Sequence, residues 1–307
     1  IISKFNFYTC DPSNNNEHTF IGFLSRGNNP DDLCMPCCFR KDQLTSGNNK
    51  KELYFRKCIG QKIKDENIEK QTTDNIGDKI YILQETNKIQ EGRFIFLTKT
   101  LNIFFNVAWG NTNKIKNHYL LESNTGYYFK FTVKDKNYNY LAAISNIYNI
   151  SIDEIKIKLI KTLNNDKKNS IYTYLNNGDI KETFGDKINY INYIKNSNYL
   201  EYDIIGELLS IKNVISKKQI YHFILEKKSK IIRKAFDKDH KKLRYYLLSN
   251  NIENSYQIDD NNDYIIILKE GKYYFPIYRV KKDNKVDKKI LLDKKFDNSD
   301  KFKNIID

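Results

Sequence analysis

Cysteine spacing is the feature that most restricts what this chain can fold into. All five cysteines lie in the first 58 of its 307 residues, and none occurs in the 249 that follow. A Cys-x2-Cys knuckle directs two sulfurs at one point and needs further ligands to complete a tetrahedral zinc site. Such a knuckle begins at Cys34, and residues 1–62 are rich in turn-forming residues that bury little apolar surface. The sequence therefore predicts a small module held together by a metal ion.

The expected ligands of this structural zinc are four cysteines with two alternates: Cys10, Cys34, Cys37 and Cys58, then Cys38 and His18. Cys37 and Cys38 are adjacent, so one of them is expected to pack or to lie outside the ligand set. Two other interpretations stay open, namely disulfides and reduced cysteines that pack as small hydrophobic residues. Zinc is favoured because the cysteine count is odd and the chain opens without the apolar core of a signal peptide.

Composition and hydrophobic periodicity divide the chain into three expected parts. Residues 1–62 form the cysteine-rich module, residues 63–78 a polar linker, and residues 79–307 a larger domain with a basic C-terminal third. In the larger domain, strand-like and helix-like segments predict a mixed helix and antiparallel-sheet domain. A hydrophobic fraction of 40% is sufficient for a packed core. The expected fold class is α+β, with a zinc-stapled N-terminal module.

Individual elements of the larger domain are also predicted. Strands are expected at 79–83 and 127–133, and helices at 98–108, 140–148, 186–195 and 203–209, with a further helix starting at Ser151 through a capping box with Glu154. Residues 219–226 and 231–236 are interpreted as two strands joined by a turn, and a continuous basic helix is the competing interpretation. A hairpin is expected at 264–268 and 272–280, where Pro276 indicates an edge strand or a bulge.

The positive charge of the chain is concentrated in two windows. Residues 212–246 contain twelve Lys or Arg against three acidic residues, and residues 279–303 contain ten against five. The two windows account for the whole net charge of +14. A localised basic surface is expected of a protein that binds the phosphate backbone of nucleic acid. The alternative is a solvated, Lys-rich surface that reflects translation from an A+T-rich genome.

The candidate nucleic-acid-binding residues all lie in the first window: Lys217, Lys218, Lys227, Lys228, Lys230, Arg233, Lys234, Lys241, Lys242 and Arg244. If the hairpin at 264–280 brings the two windows to one face, the first seven form a continuous strip that follows phosphates. Tyr245 and Tyr246 could add hydroxyl contacts or pack in the core. Contacts to phosphates position a protein on DNA without reading its sequence.

Motifs for catalysis are absent from the sequence. It contains no GxxxxGK[ST] or GxGxxG phosphate loop, no HExxH and no GxSxG, and its four histidines are scattered. We therefore expect a protein that is not an enzyme, and an enzyme with an unfamiliar site is the less favoured class. No apolar run reaches the roughly 18 residues of a membrane span, so no membrane partner is expected.

One part of the sequence resembles a known viral family. Residues 20–25 contain a Gly-Phe-Leu run, residues 33–39 read Leu-Cys-Met-Pro-Cys-Cys-Phe, and Cys58 follows. These residues resemble the large subunit of the viral early transcription factor of nucleocytoplasmic large DNA viruses and, more distantly, of poxviruses. Supporting segments occur in the family's order at 81–83, 91–94, 97–105, 140–144 and 274–278. Asn29 stands where members usually carry a histidine, so Cys10 or His18 would replace that ligand.

The resemblance implies a promoter-recognition factor. Members bind double-stranded promoter DNA as a heterodimer with a small ATPase subunit and recruit the viral RNA polymerase, in the virion and in the viral factory of the host cytoplasm. The chain is shorter than complete members, so it is expected to be one segment of such a factor, and it is not expected to be secreted. The alternative function is a non-enzymatic scaffold that docks onto the polymerase or the ATPase subunit without contacting DNA.

Overall fold

A computed structural model describes most of the chain. The described residues are 6–10, 17–24, 34–59, 79–87, 89–108, 127–133, 139–234, 237–248, 262–282 and 290–296. The chain divides into two compact units, of which the first contains residues 1–132 and 278–293 and the second residues 133–277 and 294–307. The predicted α+β class is confirmed. The predicted three-part division stays a prediction, and its linker at 63–78 lies outside the described residues.

Eleven strands are found in the described residues. They are β1 (Asn6–Tyr8), β2 (Phe20–Phe23), β3 (Pro36–Phe39), β4 (Lys79–Leu83), β5 (Phe94–Phe96), β6 (Tyr127–Phe131), β7 (Gln219–Lys234), β8 (Asp237–Leu248), β9 (Asn262–Glu270), β10 (Tyr273–Lys282) and β11 (Ile290–Asp293). In the first unit, β4 lies between β1 and β5 and is parallel to both, and β6 is antiparallel to β5. A separate antiparallel pair is formed by β2 and β3. In the second unit, β7 is parallel to β9 and antiparallel to β8.

Eight α-helices are found in the described residues, and most lie in the second unit. They are α1 (Asn49–Cys58), α2 (Lys99–Ala108), α3 (Tyr140–Tyr148), α4 (Ile152–Asn165), α5 (Ser170–Tyr174), α6 (Asp179–Phe184), α7 (Lys187–Asn196) and α8 (Tyr202–Ser210). Side-chain caps explain where several begin, because Asn48, Asn139 and Ser151 each accept a hydrogen bond from a backbone N–H of the first turn. None of the described helices is long and apolar enough to cross a membrane.

An aromatic cluster forms part of the second unit's core. The Tyr140 ring lies 5.5 Å from that of Tyr202 and 5.4 Å from that of Tyr274, measured between centroids. His222 on β7 lies among them, and its Nδ1 shares a hydrogen bond with the Tyr140 hydroxyl. Burial of the imidazole lowers the pKa of His222 to about 3. The histidine is therefore neutral and packs as part of the core.

Most of the predicted elements of the larger domain are confirmed. The predicted strands at 79–83 and 127–133 correspond to β4 and β6, and the predicted helices correspond to α2, α3, α4, α7 and α8. The Ser151 side chain accepts a hydrogen bond from the Glu154 N–H, as the capping box requires. The predicted hairpin corresponds to β9 and β10, and Pro276 opposite Ile267 is the last pair of their register. Because this register stops at Pro276, the edge strand or bulge expected there stays a prediction.

The interpretation of the basic region at 219–236 is wrong. No turn separates two strands there, because β7 continues from Gln219 to Lys234 through the four residues read as a turn. The competing interpretation, a basic helix, is also wrong. The pairing gives the physical reason, since β7 forms hydrogen-bonded ladders with β8 and β9. β8 follows β7 directly in the sequence, whereas β9 lies further along the chain, and this pairing overrides the local turn signal.

Candidate nucleic-acid interface

The cysteines of the first unit form disulfides. Cys10 is bonded to Cys38 and Cys34 to Cys58, and Cys37 is the free thiol. Among the described residues, no group of three or more His, Cys, Asp or Glu side chains is placed to hold a metal ion. The zinc predicted at Cys10, Cys34, Cys37 and Cys58, with Cys38 or His18 as alternates, is therefore wrong.

Strand geometry explains why the knuckle does not form. The stretch from Pro36 to Phe39 is extended as β3, paired with β2, so Cys34 and Cys37 are not the two ends of a tight turn. Successive residues of a strand point to opposite faces. Cys38 accordingly packs on the apolar cluster of the unit, whereas Cys37 belongs to the other face. The alternative of disulfides, left open by the sequence, is the arrangement that forms.

An apolar cluster accompanies the disulfides. Its fully buried members come from several elements: Cys10, Ile21, Phe23, Phe55 and Tyr81. Phe23 lies in edge-to-face contact with Tyr81 at 4.9 Å and also packs on Phe55. The Gln43 side chain binds both the N–H and the C=O of Phe23, at 2.9 and 2.8 Å. The expectation that this turn-rich segment buries little apolar surface is therefore wrong, because aromatic side chains far apart in sequence meet here.

A buried ion pair joins the cysteine-rich segment to the start of β5. Arg93 Nη1 lies 2.6 Å from Asp42 Oδ2, and the two side chains are only 4% and 0% exposed. The Arg93 guanidinium also lies 4.9 Å from the centroid of the Phe55 ring. Burial lowers the pKa of Arg93, and the charge of Asp42 opposes that shift. Each charge therefore depends on the other for its stability in the interior.

A two-stranded ribbon carries most of the predicted nucleic-acid-binding residues. β7 pairs with β9 from Gln219 to Lys227, where Lys227 lies opposite Glu270 and β9 ends. From Lys228 to Lys234 the partner of β7 in the described residues is β8 alone. We call residues 228–234 and 237–244 the ribbon. It extends past the end of β9 as a pair of antiparallel strands.

The register of the ribbon brings several predicted cations together. Lys228 is paired with Arg244, Lys230 with Lys242, Ile231 with Lys241 and Lys234 with Asp237, with a register shift between Ile232 and Lys234. Seven predicted residues are therefore placed by the backbone of this one element: Lys228, Lys230, Arg233, Lys234, Lys241, Lys242 and Arg244. The sequence signal for this arrangement is the charge density, since two separate strands were predicted at 219–226 and 231–236 but neither their continuity nor their pairing with β8.

Acidic partners engage the cations at the base of the ribbon. Lys227 Nζ lies 3.1 Å from Glu270 Oε1, and this lysine is 25% exposed. Lys228 Nζ lies 2.8 Å from Glu226 Oε2 and 5.7 Å from the centroid of the exposed Tyr246 ring. The hydrogen bond from Lys228 holds the pKa of Glu226 below its usual value. Sequence reasoning missed the pairing of Lys227 with Glu270, because only the parallel pairing of β7 with β9 brings them together.

Two predicted residues lie away from the ribbon. Lys217 and Lys218 precede β7, and nine residues of that strand separate them from Lys228. At about 3.3 Å a residue, this separation is roughly 30 Å. The structure therefore does not extend the cationic strip to these two lysines. Lys217 is exposed, whereas Lys218 is partly buried.

Three cations of the second basic window have partners within the chain. Arg279 binds Asp293, with Nε 2.7 Å and Nη2 2.5 Å from Oδ2. Lys294 donates to the Asn146 carbonyl at 3.0 Å, and Lys295 lies 3.5 Å from Asp263. Residues 283–289 and 297–303 of this window lie outside the described residues. These three cations therefore stabilise the fold, and the ribbon is the candidate interface.

Comparison with known proteins finds a viral relative. The chain is 42% identical over 301 residues to an uncharacterized protein of Acanthamoeba polyphaga mimivirus. The match covers 98% of this chain but 19% of that protein, so the chain spans about a fifth of the length of its relative. No protein-family model matches the chain. No solved structure matches it either.

Proposed function

We propose that this chain is a DNA-contacting segment of a viral transcription initiation factor, with the ribbon as its contact surface. The observation that carries the proposal is the register of β7 and β8, which gathers predicted cations in one element beyond the end of β9. Lysine and arginine side chains that neutralise phosphates provide most of the affinity of non-specific DNA binding. The role in transcription comes from the resemblance of the Leu-Cys-Met-Pro-Cys-Cys-Phe segment to the early transcription factor large subunit.

Two further observations support a viral setting. The similarity to a mimivirus protein over nearly the whole chain agrees with a factor of a large DNA virus. Disulfides persist in oxidising surroundings, which include virions, and are rare in the cytosol. The two disulfides of the first unit therefore favour a protein packaged in the virion over one that acts only in the viral factory. The promoter, the viral RNA polymerase and a small ATPase subunit are the partners that this proposal names.

Salt-dependent DNA binding tests the proposal. Binding of the full chain to a fluorescently labelled duplex is measured by anisotropy between about 50 and 200 mM salt. We expect the logarithm of the binding constant to fall linearly with the logarithm of the salt concentration, by about 0.9 for each phosphate contact. Replacing Lys230, Lys242 and Arg244 with Gln should weaken binding to all duplexes alike and flatten this slope.

A second triple variant controls for net charge. Lys161, Lys167 and Lys168 are exposed on or just after α4, so replacing them with Gln removes the same charge elsewhere in the second unit. We expect this variant to bind DNA nearly as the unmodified chain does. Equal weakening by both triple variants would mean that overall charge, and not the ribbon, determines binding. Absence of salt-dependent binding by the unmodified chain would contradict the proposal itself.

Exposed apolar side chains favour a second candidate, the docking scaffold. Tyr174, Ile157 and Ile188 are 74%, 64% and 60% exposed on α5, α4 and α7. Large apolar side chains on a surface mark protein interaction sites when they are contiguous. A partner subunit bound through such side chains should be retained at high salt, unlike DNA. Copurification of the chain with the polymerase or the ATPase subunit at high salt, lost in Ile157→Ser and Ile188→Ser variants, would support this candidate.

A further inference from the structure

We propose that one face of the ribbon, carrying Lys228, Lys230, Lys242 and Arg244, is the surface that enters the major groove of duplex DNA. This inference rests on the proposed function and adds how the ribbon engages its ligand. It separates the cations that contact DNA from those that share the same strands but belong to the opposite face. Lys241 is the clearest member of that opposite group.

The register assigns the residues to faces. Residues paired directly across an antiparallel ladder belong to one face, as do alternate residues of a strand. The pairs Lys228–Arg244 and Lys230–Lys242 are alternate rows of the ladder, with one row between them, and so they share a face. The intervening row, Ser229 with Leu243, and the next one, Ile231 with Lys241, belong to the other face. Four cations thus stand on one face, against Lys241 on the other.

Like charges in this arrangement indicate a polyanionic ligand. Paired Cα atoms of an antiparallel ladder are about 4.5 to 5.5 Å apart, and the next residue on the same face is about 6.7 Å along the strand. Like charges placed directly opposite each other destabilise a sheet. Glu226 offsets the repulsion at Lys228, which it contacts at 2.8 Å. A polyanion bound to this face would relieve the repulsion among the other three cations, Lys230, Lys242 and Arg244.

The dimensions of the ribbon favour the major groove. Two strands about 4.8 Å apart, with their side chains, form an element about 10 Å wide. The major groove is about 12 Å wide and admits a two-stranded ribbon, whereas the minor groove is about 6 Å wide. From Lys228 to Lys234 the ribbon extends about 20 Å at roughly 3.3 Å a residue, which is enough to cross the groove. Lysine and arginine are also the residues that bind guanine O6 and N7 there.

Neighbouring lysines of β8 provide a matched test of the face assignment. Lys242→Gln and Lys241→Gln change the same residue type at adjacent positions, with the same loss of charge, on opposite faces. For the full chain we expect Lys242→Gln and Lys230→Gln each to lower the salt slope by about 0.9, and Lys241→Gln to leave it unchanged. Far-UV circular dichroism of each variant verifies that the fold is retained.

Chemical protection of the DNA tests the groove. Dimethyl sulfate methylates guanine N7, which lies in the major groove. We expect the bound full chain to protect guanine N7 from methylation. A double variant with Lys230→Gln and Lys242→Gln should lose this protection. Equal slopes for Lys241→Gln and Lys242→Gln would overturn the face assignment while leaving the proposed function intact. Unprotected N7 in a salt-sensitive complex would overturn groove entry, and a full chain that does not bind duplex DNA would overturn the proposed function as well.

Discussion

The buried ion pair between Asp42 and Arg93 leads to a prediction about a single residue. In Asp42→Asn the amide oxygen can still cap the turn at Leu44, as the Asp42 carboxylate does at 2.9 Å, but the negative charge is lost. The Arg93 charge would then be buried without a counter-charge, which costs about 3 to 5 kcal/mol. We expect the free energy of unfolding of the first unit, measured with urea, to fall by about that amount.

An exposed ion pair of the same unit is the control for this prediction. Arg56 Nη2 lies 2.7 Å from Glu52 Oε1 on α1, with the two side chains 29% and 35% exposed. Pairs of this kind on a helix surface contribute about 0.3 to 0.5 kcal/mol. Glu52→Gln should therefore change the stability by less than 1 kcal/mol. A similar loss in both variants would mean that burial of the Asp42 pair does not determine its energy.

His222 leads to a prediction about pH. Its pKa is about 3 in the folded chain and about 6.5 when unfolded, so between these values the unfolded state binds the additional proton. The free energy of unfolding should therefore be highest above pH 6.5 and should fall as the pH is lowered, by up to about 1.4 kcal/mol per pH unit. Replacing the neutral imidazole with Asn should remove that slope. The free energy of unfolding of the unmodified chain and of His222→Asn is measured with urea from pH 7 to about 4, and the two values are subtracted at each pH.

Exposed His18 provides the comparison for His222. It is exposed at the surface of the first unit, so His18→Asn is the matched control for replacing a histidine with asparagine. Carboxylates also titrate below about pH 5, but they are common to all three proteins and cancel in the differences. An unchanged slope in His222→Asn would contradict a neutral, buried imidazole.

At the scale of elements, the disulfides connect strands and a helix that are short by themselves. One joins Cys10, two residues after β1, to Cys38 in β3, and the other joins Cys34, two residues before β3, to Cys58 at the end of α1. Their sequence separations are 28 and 24 residues, and closing loops of that length stabilises a fold by about 3 kcal/mol each. Thiol titration of the denatured, unreduced chain should find one reactive cysteine, Cys37, and five after reduction. Five before reduction would contradict both bonds.

The sequence predicted elements whose signals are local. Helix α4 was predicted from the Ser151 cap and the periodic apolar positions Ile155, Leu159 and Leu163. Ser151 caps the helix and the three apolar side chains are buried, as expected. β7 was predicted as two strands and not as one, because its central residues, from Lys227 to Lys230, are polar and read locally as a turn. Their strand conformation depends on pairing with β8 and, at Lys227, with β9.

The candidate site was predictable in composition and not in geometry. Charge density identified the region that became the ribbon, but the pairing of Lys230 with Lys242 depends on a register that no local pattern fixes. The cysteines show the same limit. Their spacing fits a zinc knuckle, and only the strand conformation of β3 separates the sulfurs of Cys34 and Cys37.

At the scale of the whole molecule, the two units depend on different chemistry. All five cysteines and both disulfides belong to the first unit, whereas His222 and its aromatic neighbours belong to the second. Reductant should therefore destabilise the first unit, and mild acid should destabilise the second through His222. Hydrogen exchange of the full chain, followed by mass spectrometry of its peptides, measures both units in one sample.

We expect reduction to increase exchange in peptides from β2, β3 and α1, and to leave peptides from α4 and α8 nearly unchanged. Lowering the pH from 7 to about 5 should increase exchange of α8 and β9 peptides, once the intrinsic exchange rate is corrected for pH, and His222→Asn should show a smaller increase. Cys37→Ser removes no disulfide and should respond to reductant as the unmodified chain does. Equal responses of both units to reductant would mean that they unfold as one cooperative body, because only the first is cross-linked.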